Sequence, residues 1–263
     1  ATASPSPTNT FTPTNTATPT STATGSPAAS PTPPQFPTFV LSQVYGGGGS
    51  NTGTPAYVSD YVEIKNITNA ARSLNGLFLY YGAATGNFAS SSTNAFALPD
   101  VTVNPGQYYL VQLGTVGTAG AALPVTPDAV TTNLNMAAGS GKVALTTAGL
   151  PVNTCGGATA CDATQLSFIV DWVAYGAAGN GTAGNGEGGT SVNNGVAITN
   201  VDGGVRKQAG CQDTNNNNND FDVAPPPVPR NTSTTPAVCA GQTGTPTNTS
   251  TPTSTPTVTN TPT

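Results

Sequence analysis

The chain of 263 residues contains no histidine. The commonest general base and the commonest transition-metal ligand are therefore both missing. No serine or cysteine has an imidazole to activate it. Charge is scarce too. Six Lys and Arg and eleven Asp and Glu make up 6% of the chain, against roughly 25% in ordinary soluble domains. The net charge is −5 and no basic cluster occurs, so nucleic acid is not expected as a partner. No apolar run approaches the roughly 18 residues of a membrane span, so no membrane span is expected. The only methionine is Met136 and no basic-then-apolar leader is visible, which reads as a processed form or an excerpt of a longer chain. No Gly-rich run leads into the Lys-Ser/Thr of a phosphate loop.

What the chain has instead is threonine at regular spacing. From Thr243 to Thr263 every second residue is Thr, and Pro246, Pro252, Pro256 and Pro262 fall on the other parity. Residues 2–24 repeat the pattern, with a hydroxyl at every even position and Pro5, Pro7, Pro13 and Pro19 on odd ones. All charged residues lie between Asp60 and Arg230, so both ends are neutral. Such segments have almost nothing to bury and cannot fold alone. Thr/Ser-rich sequence with Pro reads as a mucin-like stalk carrying O-linked sugars. The candidate O-glycosylation positions are Thr8, Thr10, Thr12, Thr14, Thr16, Thr18, Thr20 and Thr22, and Thr245, Thr247, Thr249, Thr251, Thr253, Thr255, Thr257, Thr259 and Thr261. An extended proline-favoured path would let the first arm reach on the order of 100 Å. Three parts are expected: a stalk over 1–35, a bead over 36–240 and a stalk over 241–263. The alternation stays in phase if residue 1 is placed after residue 263. That suggests copies joined head to tail, as a homopolymer or a tandem repeat.

In the bead, Phe39–Tyr45 reads as a strand, followed by a flexible glycine loop at 46–49. Tyr57–Asn66 alternates Tyr61, Glu63 and Lys65 against Val62 and Ile64, the pattern of a half-buried strand. Further strands are expected at Leu74–Tyr81, Ala95–Leu98, Tyr108–Leu113, Ser140–Thr146 and Val205–Gln208. Ser167–Tyr175 is the most apolar run and is expected at the centre. Pro105 and Gly106 sit where a type II turn needs them. Seven or more short strands with turns between them predict an all-β sandwich.

Four cysteines without zinc-type spacing suit an oxidising compartment. Cys155 and Cys161 bracket Gly156 and Gly157 and read as a local disulfide. Cys211 and Cys239 would then pin the end of the bead, although three pairings exist in principle. Asp213, Asn215, Asn217 and Asp220 begin like a calcium loop but lack its Gly and distal Glu; the other reading is an Asn-rich turn. Sequons at Asn66, Asn180, Asn231 and Asn248 are candidates for N-linked sugars. Asp60, Glu63 and Asp171 are the carboxylates nearest strands. A pair of them could serve glycoside hydrolysis, but Asp60 and Asp171 read instead as groups that hold turns and backbone at strand ends.

Several stretches together resemble one family. These are Val44–Gly49, Asp60–Asn66, Ser73–Gly76, Pro105–Val111, Gly141–Leu145 and Val170–Gly176, then Arg206-Lys207, Cys211–Asn215, Asp220-Phe221 and Pro229–Asn231. They resemble the lamin tail domain, an immunoglobulin-like sandwich, in its exported bacterial versions. The resemblance spans about residues 39–231, and Leu77 departs from it where the family often has Trp. It implies an immunoglobulin-like bead with a structural or accessory role and no catalytic residues. The whole chain then reads as a secreted or cell-surface glycosylated structural protein of an extracellular fibril, not an enzyme. It is expected to need no cofactor beyond covalent glycans, with calcium as the one candidate ion. The alternatives are a stalked adhesin, whose loops 83–94, 114–133 and 176–195 would be binding tips, and an accessory domain of a larger exported hydrolase.

Overall fold

The computed structural model describes residues 38–88, 92–147, 155–178 and 186–240. Both Thr/Pro arms, with all seventeen threonine candidates, Asn180 and Asn248, lie outside the described residues. Within them the strands are β1 (Phe39–Tyr45), β2 (Asp60–Asn66), β3 (Arg72–Ser73), β4 (Leu77–Ala83), β5 (Ala95–Ala97), β6 (Thr102–Val103), β7 (Tyr108–Leu113), β8 (Ala129–Val130), β9 (Gly141–Thr147), β10 (Ile169–Tyr175), β11 (Gly203–Arg206) and β12 (Phe221–Ala224). A six-stranded sheet has the order β12-β11-β1-β2-β7-β8, and a four-stranded sheet the order β10-β9-β4-β5. Leu41, Val44, Val62, Ile64, Tyr109 and Val111 of the first sheet share one core with Leu79, Tyr81, Val143, Leu145, Val173 and Tyr175 of the second. The bead is the all-β sandwich that the strand pattern predicts.

Period two does not hold throughout. In β1, Phe39, Leu41 and Val44 all reach the core, because a bulge between Leu41 and Gln43 shifts the register by one residue. A second bulge lies between Ile169 and Asp171 in β10. The two meet, since the Leu41 N–H donates to Asp171 Oδ2 at 2.5 Å.

Three expectations are corrected. First, β2 is not half-buried. Tyr61, Glu63 and Lys65 are all inaccessible, because the segment after β12 runs back as a strap over the outer face of the large sheet. The Tyr57 hydroxyl donates to the Pro227 carbonyl at 2.7 Å, Gln43 Nε2 to the Val228 carbonyl at 2.8 Å and Gln107 Nε2 to the Thr232 carbonyl at 2.6 Å. Second, β10 is an edge strand, not the central one. Its open side is blunted by Asn217, whose Oδ1 accepts from the Ala174 N–H and whose Nδ2 donates to the Trp172 carbonyl. Third, the glycine run 46–49 is a packed crossing, not a flexible loop. A Cβ on Gly47 would meet the Asn200 carbonyl at 2.2 Å, and one on Gly48 would meet the Ser59 carbonyl carbon at 2.1 Å.

The two ends of the described bead meet at one pole. The Thr38 carbonyl accepts from Ile67, Gly106 donates to the Asn66 carbonyl, and Ala237 donates to the Gly106 carbonyl. Gly106 has φ +70 in the expected turn. A Cβ there would press on the Ala237 carbonyl at 2.7 Å. The strand ends that start loops 83–94, 114–133 and 176–195 lie at the other pole, with Tyr45, Asp60, Leu113 and Tyr175. Gly114 bonds to Asn133, Asp60 Oδ2 accepts from Met136, and the Tyr175 hydroxyl donates to the Ala137 carbonyl.

Candidate functional site

Both cysteine pairs close as the spacing suggested: Cys155–Cys161 and Cys211–Cys239. The first packs against Phe88, Tyr80 and Trp172 on the outer face of the small sheet. The second ties the end of the strap to the turn after β11, 28 residues earlier. Among the described residues, no helix is long and apolar enough to cross a membrane.

Two buried ion networks hold the large sheet. The first is centred on Arg206, which is 1% exposed. Its Nε donates to the Leu41 carbonyl at 3.0 Å, so the β1 bulge has its N–H satisfied by Asp171 and its C=O by Arg206. Nη2 reaches both Asp171 oxygens at 2.9 and 2.7 Å. Glu187 stands 4.0 Å from Nη2, Asp213 3.4 Å and Asp220 3.8 Å from Nη1. The guanidinium lies 4.7 Å from the Phe221 ring centre. Burial, then the charge of Asp171 and a hydrogen bond to it, push the Glu187 carboxyl up to about 11, so Glu187 is protonated at neutral pH. Burial, with Asp171 adding to it, also raises Asp213. The carboxylates outweigh burial at Arg206 and raise its pKa.

The second network is centred on Glu63, also inaccessible. It accepts from Ser42 Oγ at 2.5 Å, from the Arg230 N–H at 2.6 Å and from Arg230 Nη2 at 2.6 Å. The Arg230 guanidinium stacks 3.9 Å over the Tyr108 ring centre. Burial raises the Glu63 pKa although Arg230 opposes it. This pair fastens the strap to the middle of β2.

The four candidate calcium ligands do not converge. Asp213 and Asp220 do meet, with Glu187 as a third carboxylate, and one oxygen from each lies within 4.8 Å of the others. Asn217 gives its Oδ1 to the Ala174 N–H, and Asn215 is exposed. The Arg206 guanidinium already stands against all three carboxyl groups, in the place a cation would take. Calcium needs six to eight oxygens, and this donor set does not fit it. The segment is instead an Asn-rich turn in which Asp220 accepts from the Thr214 N–H at 2.8 Å and from its hydroxyl at 2.7 Å.

Two sequons are also corrected. Asn66 is inaccessible, and its Nδ2 donates to the Ala70 and Val103 carbonyls, each at 2.8 Å. Asn231 is buried, and its Nδ2 donates to the Thr126 carbonyl at 2.9 Å. Both amides brace loops, and in the folded bead neither is presented for a glycan. No local signal placed them inside: the strand end at Asn66 reads equally as exposed, and the Arg230 anchor beside Asn231 is visible only in the structure.

Asp60 holds backbone at a strand end, as its position suggested. Its two oxygens accept from the Gly48 and Met136 N–H groups, each at 2.8 Å, and so join the two loops of the far pole. Burial raises its pKa from 3.8 to about 7 against those two bonds. An acid raised in the fold stabilises it below its unfolded pKa, and that contribution is lost as pH rises through the folded value. For Asp60 the window runs from about pH 4 to 7, and the loss is about 4 kcal/mol. Lys65 and Lys142 are lowered by burial to about 8. A lowered base stabilises above its ordinary pKa and loses that contribution as pH falls toward 8. Thermal stability should therefore fall from pH 4 to 7, pass a trough between 7 and 8, and recover toward pH 10. Melting curves across this range check it; a steady rise from pH 4 to 7 would refute it, and Asp60→Asn should make the acid-side fall shallower, the remainder coming from Glu187, Glu63 and Asp213, which burial also raises.

No family model and no curated protein matches the chain. One similar solved structure is a DUF4876 family protein from Bacteroides thetaiotaomicron VPI-5482, at 13% identity and a TM-score of 0.46, covering 79% of this chain and 75% of that one.

Proposed function

We propose that the protein is a secreted, glycosylated structural unit: a lamin-tail-like, immunoglobulin-like bead spaced by O-glycosylated Thr/Pro tethers in an extracellular fibril. The observation that carries this reading is the unbroken alternation of Thr, with Ser4 and Ser6, on both sides of a bead closed by two disulfides. Disulfides suit an oxidising compartment, and a sugar coat would supply the hydration that so little charge cannot. Thr38, bonded to Ile67, and Ala237, bonded to Gly106, stand at the same pole, which supports a particular arrangement. A chain that enters and leaves at the same pole hangs the bead beside the line of the tether rather than in it. Copies joined head to tail then make a neutral cord with pendant beads, each turning its loop pole outward. The same geometry favours a second reading, a stalked adhesin, since loops 83–94, 114–133 and 176–195 all start from the free pole.

Intact-mass measurement on native material tests the tethers. A mass above 26.0 kDa is expected, with the excess on the threonines of residues 2–24 and 243–263. Enzymatic removal of the sugars should make both arms protease-sensitive. Bare threonines on both arms would overturn the reading.

A further inference from the structure

The turn after β11 sets a lysine against a disulfide. Lys65 is inaccessible, and its stem lies tight against the turn: a Cβ on Gly210 would meet Lys65 Cδ at 2.9 Å. Nζ is thereby fixed where it donates to the Ala209 carbonyl at 2.7 Å and to Cys211 Sγ at 3.3 Å. None of the ion pairs among the described residues includes Lys65, and Glu63 on the same strand is taken by Arg230. Burial lowers the Lys65 pKa to about 8, with the charge of Arg230 adding to the fall, so the amine is still protonated at pH 7. A buried ammonium without an anion is unfavourable. A thiolate on Cys211 would supply that anion 3.3 Å away. The two sulfurs of the bridge are therefore not equivalent. Both cysteines are partly exposed, but Cys211 follows buried Gly210 and has the ammonium beside it. Cys239 stands between Val238, 49% exposed, and exposed Ala240. Gln208 and Ala209 hold φ of +53 and +55, an unfavourable backbone for residues that carry a Cβ, so the turn is kept in place by its contacts, the bridge and Lys65 among them.

Thiol–disulfide exchange proceeds by attack of a thiolate on one sulfur, and the other sulfur leaves faster the lower the pKa of its thiol. A neighbouring ammonium lowers a thiol's pKa. Cys211 is thus the better leaving group and Cys239 the sulfur open to attack. We propose that Cys239 is a thiolation site for a small soluble thiol, with Cys211 as the departing thiolate and Lys65 as its counter-ion. The incoming thiolate bonds to Cys239 Sγ while the Cys211–Cys239 bond breaks. The electron pair of the broken bond leaves on Cys211 Sγ, and the proton of the incoming thiol goes to solvent. One disulfide is exchanged for another, a mixed disulfide at Cys239, so no further oxidant or reductant takes part. The end of the strap is then untied from the turn. The other bridge is the contrast: Cys155 and Cys161 are buried and lie against Phe88 and Tyr80. The site belongs wholly to the bead and stands whether or not the arms carry glycans.

The test treats the oxidised full-length protein with glutathione at pH 7, quenches with excess N-ethylmaleimide and maps the adducts by mass spectrometry. Glutathione is expected on Cys239 and the maleimide on Cys211, favoured about tenfold over the reverse arrangement, while Cys155–Cys161 stays closed. Lys65→Met should slow the opening about tenfold, because the leaving thiolate loses its counter-ion, and should spread glutathione over both sulfurs. A merely structural role for Lys65 predicts the opposite, faster opening from a loosened turn. Equal adducts on the two sulfurs, a majority on Cys211, or a bridge that resists glutathione as Cys155–Cys161 does would each overturn the proposal. So would a Lys65→Met variant that opens as fast as the parent. If that variant does not fold, the choice of sulfur in the parent decides alone.

Discussion

Replacing Arg206 by methionine is expected to lower the melting temperature by about 6–20 °C at neutral pH. The side chain sits among Asp171, Glu187, Asp213 and Asp220 with no exposure of its own. Its removal leaves buried carboxylates without a counter-charge and the Leu41 carbonyl without its Nε donor. Breaking a buried ion pair from one side costs about 3–5 kcal/mol, and each kcal/mol moves a domain of this size by about 2–4 °C. The reason is charge, so the loss should depend on pH. Near pH 4 the orphaned carboxylates can take up protons, and the deficit should shrink. A merely steric role would give the same deficit at both pH values. A variant that melts within two degrees of the parent at pH 7 would show that the network does not hold the sheet.

This network is where sequence reading stopped short. The sandwich was legible because strands such as Tyr108–Leu113 and Gly141–Thr147 carry β-branched and aromatic residues between turn signals. The turn at Pro105-Gly106 and the pairing of four cysteines were legible from local chemistry. The centre was not. Nothing in one dimension says that Arg206 meets Asp171, 35 residues away. Lacking that partner, Asp213 and Asp220 read as metal ligands. The protein uses a guanidinium where a calcium loop would use an ion.

The burial of β2 failed for a related reason. Alternation tells which residues share a face, not whether something covers that face. Residues 225–240 leave Val228 and Val238 exposed and are tied to the sheet by polar contacts: Arg230 to Glu63, Asn231 to Thr126, Thr232 to Asp128. A proline-rich strap of this kind has no hydrophobic period to read. It also explains how so uncharged a chain can bury Lys65 and Glu63. Lys65 Nζ donates to the Ala209 carbonyl at 2.7 Å and lies 4.9 Å from the Tyr108 ring centre, so the strap, the Cys211 turn and β2 share one polar layer.

Because the strap is tied by polar contacts, it should be the first part to yield when its covalent tie is cut. Replacing Cys211 and Cys239 together by serine opens a loop with a separation of 28 residues. On the chain-entropy account the unfolded state gains freedom worth about 3–4 kcal/mol, so the melting temperature should fall by about 6–16 °C. The more telling effect is mechanical. With the bridge intact, a pull on the chain beyond Ala240 passes from Cys239 to Cys211, beside Lys65 and β2, and bypasses residues 212–238. Without it, the same pull peels the strap from Ala237 back toward Arg230, one hydrogen bond at a time. Single-molecule extension should then show an early low-force step of up to about 55 Å, the contour of some 16 extended residues of the strap, before the sandwich opens. The parent should lack that step, and reducing agent should restore it. An early step of the same length in the oxidised parent would mean that the bridge does not carry the load, and the strap would lose its role as the anchor of the C-terminal tether.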